Sequence, residues 1–133
     1  MGSISKYWKN KIYIIYLNHW GDYLRVHHIG YLVENMDAAI MQFEVLGYHV
    51  SQKPIYDSYR KIDICFMKNN ETNVELVLPR EDCKLFSTLK KRIGNAPYHI
   101  CYSCDEYKRD SEKLIKNGWV QIQQLSEAVA INN

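Results

Sequence analysis

The sequence lacks a long hydrophobic run, and neither sign of charge dominates it. No apolar segment approaches the ~20 residues of a helical membrane span. Lys and Arg number 17 and Asp and Glu 15, so the net charge is +2. No basic run interleaves with aromatic residues. We therefore expect neither a nucleic acid nor a membrane surface as a partner, because both would call for a concentrated positive charge or an apolar anchor.

A second pair of closely spaced cysteines is also missing. The four cysteines are Cys65, Cys83, Cys101 and Cys104. Only Cys101 and Cys104 have the C-x-x-C spacing typical of zinc and redox sites. They fall in a predicted strand, where positions three apart point to opposite faces. Since no secretion signal is recognisable either, we interpret all four as reduced thiols and expect a cytoplasmic protein.

What the sequence does contain is an internal repeat. The segment at residues 26–33 returns at residues 98–104, with His99 following His28 by 71 positions. The same offset, without gaps, also matches Ile29 with Ile100, Tyr31 with Tyr102, Phe43 with Leu114, Gly47 with Gly118, and Tyr48 with Trp119. Two copies at so long a period indicate a duplicated half-domain rather than a solenoid.

The first half reads as strand, helix and three strands, which predicts an α+β fold. Asn35 is a predicted helix N-cap, and Gly47 fits just past the end of that helix. The predicted strands cover residues 25–33, 48–56, 61–67 and 73–78. The domain boundaries are 24–133 for the whole domain, 25–79 for module one, 82–93 for a linker helix and 97–133 for a partial module two.

The second half restarts with a strand over residues 98–104 and a helix. Asp105 is the predicted cap of this helix, Leu114 and Ile115 its anchors, and Gly118 its end; a strand over 119–124 follows. The counterparts of the third and fourth strands would fall near residues 132–149. The second module is therefore predicted to lack its last two strands, through truncation or because another chain completes the sheet.

Residues 1–23 do not fit the repeat. Residues 12–17 are strong strand formers but are too short for a signal peptide. This extension is an added edge strand, a disordered arm or the product of a start site assigned too far upstream, and we favour the last reading because exposed apolar residues promote aggregation.

Three polar residues fall on the less apolar faces of the predicted strands. Alternation places His28, Glu75 and His99 opposite the faces suited to helix packing, beside small residues such as Gly30, Cys101 and Ser103. Two imidazoles and a carboxylate are suitable ligands for a divalent metal. His27 lies on the apolar face and is rejected as a ligand. A counterpart of Glu75 would fall near position 146.

These motifs resemble the vicinal oxygen chelate (glyoxalase/bleomycin resistance/dioxygenase) superfamily. The resemblance rests on residues 28–39, 74–77 and 97–102, and within the superfamily it is greatest to bacterial glyoxalase I-like proteins and methylmalonyl-CoA epimerases. It implies paired βαβββ modules in a curved mixed sheet. It also implies one metal ion (Ni, Co, Mn or Zn) bound by His28, Glu75 and His99. The family's general-base Glu on the last strand is expected beyond residue 133, so no catalytic base is assigned.

The resemblance implies a metal-dependent lyase or isomerase of glyoxalase I type (lactoylglutathione lyase-like). Such an enzyme moves a proton next to a carbonyl in a thiol adduct or acyl-CoA and is a homodimer; without its base, the chain as given is expected to be impaired in catalysis. One alternative is a methylmalonyl-CoA epimerase-like enzyme, and another is a non-catalytic drug-binding protein of the same fold. A ring-cleaving dioxygenase is disfavoured by the acid at Glu75.

Overall fold

A computed structural model describes residues 3–7, 12–16, 24–83, 91 and 94–127. The strands are β1 (Ser3–Tyr7), β2 (Ile12–Tyr16), β3 (Arg25–Leu32), β4 (His49–Asp57), β5 (Ile62–Asn69), β6 (Thr72–Pro79), β7 (Ala96–Cys104) and β8 (Gln121–Glu127); the helices are α1 (Met36–Val45) and α2 (Tyr107–Lys116). The predicted α+β class is confirmed. Within the described residues, no helix combines the length and apolar character needed to span a bilayer.

The chain forms two compact units. The first unit contains residues 28–98, and the second contains residues 1–27 with 99–133. In the first unit the strands are ordered β4-β5-β6-β3. β4, β5 and β6 pair antiparallel, whereas β6 and β3 pair parallel. A mixed sheet results because the helix α1 separates β3 from the three strands that follow it, as the strand-helix-strand-strand-strand pattern predicts.

Helix α1 begins and ends where the sequence predicts. The Asn35 side chain accepts a hydrogen bond from the backbone N–H of Ala38 (2.9 Å), which satisfies one of the first-turn donors. At the other end Gly47 adopts a φ of +93°, which is strained for any residue with a Cβ. Between these ends the helix packs on the sheet through a core of Val33, Met36, Cys65, Met67, Val74 and Leu76.

In the second unit the strands are ordered β7-β2-β1-β8. β7 and β2 pair parallel, β2 and β1 antiparallel, and β1 and β8 antiparallel. The strand propensity of the segment is thus realised over residues 12–16, and β2 has a paired strand on each side. Along the chain, the second module contains β7, α2 and β8. The positions near 132–149, where counterparts of β5 and β6 were predicted, lie outside the described residues.

Some predicted details of the second module are wrong. The N-cap of α2 is Glu106 rather than Asp105, and its side chain makes no capping hydrogen bond. Leu114 packs against Cys104, as do Leu24, Tyr107 and Trp119, so it anchors the helix as expected. Ile115, however, is 48% exposed and anchors little. The helical period lets only one of these two neighbours face the sheet, and Leu114 takes that position. The predicted linker helix 82–93 lies largely outside the described residues.

Candidate metal centre

The β3 strand presents His28 on a buried face. His28 is 1% exposed, and Gly30 and Leu32 on the same face are buried. On the alternate face, the Tyr31 ring contacts Phe43 of α1 edge to face, with 5.1 Å between ring centroids. The predicted division into a helix-packed face and a histidine face is therefore correct. Ile29 departs from it, because it belongs to the helix-packed face but is 36% exposed.

Glu75 of β6 lies beside His28. Parallel pairing sets Glu75 opposite Gly30, which brings the carboxylate onto the face that carries the imidazole. The distance from His28 Nε2 to Glu75 Oε2 is 3.1 Å, within hydrogen-bond range, and both side chains are buried. A carboxylate withdrawn from water is costly unless a polar partner compensates it. The contact between His28 and Glu75 therefore gives each of these buried polar groups a polar partner.

Phe66 is a third member of this face that sequence reasoning missed. Its ring meets the His28 imidazole edge to face, with 5.2 Å between centroids and an interplanar angle of 80°. Phe66 lies on β5 directly opposite Glu75. Its place in an apolar alternation made it look like ordinary core, and only the β5–β6 register reveals that it borders the polar pair.

His99 of β7 completes the predicted set. It is 6% exposed, and its ligand atom and those of His28 and Glu75 all lie within 4.8 Å of one another. Ligand atoms at about 2.0–2.2 Å from a single ion are about 3–4 Å apart, so small side-chain adjustments would suffice. Two imidazoles and one carboxylate suit Ni, Co, Mn or Zn equally by donor type. Among the described residues, His27 is not part of any such group.

The cysteines near His99 do not join this group. Neither Cys101 nor Cys104 forms a disulfide, and both are buried. Cys104 packs in the apolar cluster with Leu114 and Trp119. Burial, reinforced by Asp110 and Asp105, raises the pKa of the Cys104 thiol to about 12. A thiol held neutral in this way is neither a good metal ligand nor a nucleophile.

Ser103, predicted to be a small neighbour of the site, is committed to the backbone. Its hydroxyl donates to the Arg25 carbonyl oxygen at 3.4 Å. It is 6% exposed. Ser103 therefore stabilises the second unit.

Comparison with known proteins agrees with this fold. The model of the glyoxalase/bleomycin resistance protein/dioxygenase superfamily matches residues 27–132. Among solved structures, a hypothetical protein from Bacillus halodurans C-125 is 17% identical, with 73% of this chain and 70% of that one covered and a TM-score of 0.65. A Streptomyces coelicolor methylmalonyl-CoA epimerase in complex with 2-nitronate-propionyl-CoA is 19% identical, with coverages of 73% and 72% and a TM-score of 0.64.

A methylmalonyl-CoA epimerase from Mycobacterium tuberculosis is 15% identical, with coverages of 76% and 71% and a TM-score of 0.63. The search of curated proteins gave no match. At these identities the solved structures establish a shared fold and nothing finer. The family match extends over most of the chain, including all three residues of the candidate metal centre. The chain thus belongs to the glyoxalase/bleomycin resistance protein/dioxygenase superfamily.

Proposed function

We propose that the protein is a divalent-metal-dependent lyase or isomerase of glyoxalase I type, which moves a proton on a carbon next to a carbonyl group. The observation that carries this proposal is the group formed by His28, Glu75 and His99, in which three buried side chains offer ligand atoms within 4.8 Å of one another. Buried polar groups that converge in this way are more typical of a functional site than of a core, because each one is costly to withdraw from water.

The residues present fit a divalent ion. His28, Glu75 and His99 would hold it, and three protein ligands leave coordination positions for a substrate. When bound, the ion supplies stabilisation of the negative charge that develops on a substrate oxygen as the neighbouring carbon loses its proton. In the metal-free chain the Glu75 carboxylate holds the His28 ring in place through the 3.1 Å contact at Nε2, and the Phe66 ring borders the same imidazole on an apolar side.

The substrate carries a carbonyl with an acidic neighbouring carbon, in a thiol adduct or an acyl-CoA thioester. The glyoxalase I reading rests on the acid at Glu75 beside the two histidines. A second candidate, an acyl-CoA epimerase, is supported by the fold, because the similar structures include a methylmalonyl-CoA epimerase in complex with methylmalonyl-CoA. Both reactions begin with the same proton abstraction and differ in where the proton returns. We place the enzyme in the cytoplasm, as a homodimer.

Metal retention by the full chain tests the site. The purified protein would be assayed for bound Ni, Co, Mn and Zn, beside a His99→Ala variant and a His49→Ala control. His49 is an exposed residue of β4, so its removal should leave metal content unchanged. Loss of a direct ligand should lower affinity by at least about 100-fold, more than is typical for residues that only support ligands. Equal occupancy in wild type and His99→Ala would rule out the site.

Turnover separates the candidate reactions. Hemithioacetals formed from methylglyoxal and cellular thiols would be tested for isomerisation, and methylmalonyl-CoA for exchange of its α-hydrogen with deuterium from solvent. Isomerisation supports the glyoxalase reading, and exchange alone supports the epimerase. A protein that retains metal but turns over neither class of substrate would contradict both enzymatic readings and favour a binding protein.

A further inference from the structure

The strands of the two units share one arrangement, although they come from different parts of the chain. In the first unit β3 pairs parallel with β6, β6 antiparallel with β5, and β5 antiparallel with β4. In the second unit β7 pairs parallel with β2, β2 antiparallel with β1, and β1 antiparallel with β8. β7 and β8 are the repeat counterparts of β3 and β4. It follows that β2 takes the place of β6 and that β1 takes the place of β5.

The residue register agrees with this correspondence on the parallel side. In the first unit Gly30 pairs with Glu75. The residue 71 positions after Gly30 is Cys101, and its partner is Tyr13. The adjacent pair agrees as well. Ile29 pairs with Val74 in the first unit, and Ile100, 71 positions after Ile29, pairs with Ile12 in the second. Tyr13 therefore has the same register position beside His99 that Glu75 has beside His28.

The antiparallel side reproduces even the irregularities. Gln52 pairs with Phe66 between two register shifts of the β4–β5 ladder. Gln123, 71 positions after Gln52, pairs with Lys6 between two register shifts of the β8–β1 ladder. The next pair of the first unit is Ile55 with Ile64. Its counterpart is Ser126, 71 positions after Ile55, which pairs with Ile4. Bulges are specific features of a ladder, so their recurrence at equivalent positions argues against a strand pair added at random.

We propose that β1 and β2 supply the third and fourth strands of the second module in circularly permuted order, and that Tyr13 is the counterpart of Glu75 in this module. This assignment of Tyr13 rests on the proposed function, whereas the permutation does not. Glu75 has this register position in the first unit, and Tyr13 has it in the second. Glutamate would offer a carboxylate, a ligand that divalent ions bind readily, at the position where tyrosine offers a phenol.

This assignment predicts that one substitution strengthens metal binding. Tyr13→Glu restores a carboxylate at the acid position, so Ni²⁺ titrated alone into the metal-free full chain should bind at least about tenfold more tightly, because a fourth, charged ligand is added. Tyr13→Phe should leave the affinity within about twofold. The matched control is Ile14→Glu, since adjacent strand positions alternate between faces. An unchanged affinity in a folded Tyr13→Glu variant, or an equal gain in Ile14→Glu, would overturn the assignment.

The permutation is tested without any metal. β2 has a paired strand on each side, so a proline at position 14 removes a backbone donor from one ladder or the other. Ile14→Pro should lower the midpoint of thermal unfolding by several degrees relative to Ile14→Val, and amides of residues 12–16 should exchange as slowly as those of β7 in the wild type. Identical midpoints, or unprotected amides in β2, would show that residues 1–23 are a dispensable arm.

The two sets of results keep the proposals distinguishable. A wild-type chain that binds no divalent ion would refute the proposed function, yet the proline and exchange measurements would still decide the permutation. Conversely, wild-type binding that Tyr13→Glu does not tighten would refute the role of position 13 alone and leave the metal centre intact.

Discussion

Replacing Glu75 should separate its contribution to folding from its contribution to metal binding. The Glu75 side chain is 8% exposed, and its carboxylate lies 3.1 Å from the His28 imidazole, which is 1% exposed. A hydrogen bond to a charged group contributes about 1.5–3 kcal/mol, and its removal also costs the burial of the polar atom left behind. Glu75→Ala should therefore lower the free energy of unfolding by about 3 kcal/mol. Glu75→Gln keeps the shape and a hydrogen-bonding oxygen, so it should cost about 1 kcal/mol or less.

Metal binding should respond in a different order. A neutral amide is a poorer ligand for a divalent ion than a carboxylate, so Glu75→Gln should lose the bound ion almost as completely as Glu75→Ala. Urea denaturation of the metal-free proteins gives the stability ranking, and elemental analysis gives the occupancy. Glu71→Ala, an exposed change in the turn between β5 and β6, is the control and should stay within about 0.5 kcal/mol.

Two results would refute this reasoning. If metal-free Glu75→Ala unfolds with a free energy within about 0.5 kcal/mol of the wild type, the contact with His28 does not stabilise the fold. If Glu75→Gln retains a full complement of metal, Glu75 is not a ligand, and the carboxylate serves only to orient the imidazole.

Two further predictions concern the thiols and a helix cap. Burial raises the pKa of Cys65 to about 11 and that of Cys104 to about 12. Because these thiols ionise less readily in the folded state than in the unfolded state, the free energy of unfolding should keep their full contribution below about pH 9 and should fall as the pH rises above it. At pH 8 a thiol reagent should label both cysteines slowly unless urea is added. Rapid labelling of the folded protein would contradict this. Asn35→Ala should lower the free energy of unfolding by about 1 kcal/mol, because it removes the cap of α1. Glu106→Ala should change it little, because Glu106 makes no side-chain hydrogen bond at its cap position. Equal losses of stability in denaturant melts would show that the cap bond is unimportant.

The sequence predicted the local features of the fold well because their causes are local. Asn35 caps a helix through a hydrogen bond three residues away, and Gly47 ends it through its own φ angle. Strand alternation was sufficient to assign His28 and Glu75 to one face. The Asp105 prediction failed by one residue: the helix begins after Glu106, which makes no capping hydrogen bond, so the capping preference of Asp105 did not fix the boundary.

The pairing of strands with one another could not be predicted from local sequence patterns. Phe66 became part of the site through its position opposite Glu75, which depends on the register of β5 against β6. The role of the N-terminal strands was hidden for a stronger reason. β1 and β2 precede the repeat in the chain, so no constant offset aligns them with β5 and β6, and Tyr13 does not resemble Glu75.

By itself, the sequence determined the duplicated module, the two ends of α1 and the strand face that carries His28 and Glu75, because periodicity and capping depend on neighbouring residues. Only the tertiary structure decided which strands lie beside one another. Backbone hydrogen bonds join any two extended segments that meet in register, whatever their separation in sequence. That freedom sets Phe66 against the buried pair and gives β1 and β2 their positions beside β8 and β7.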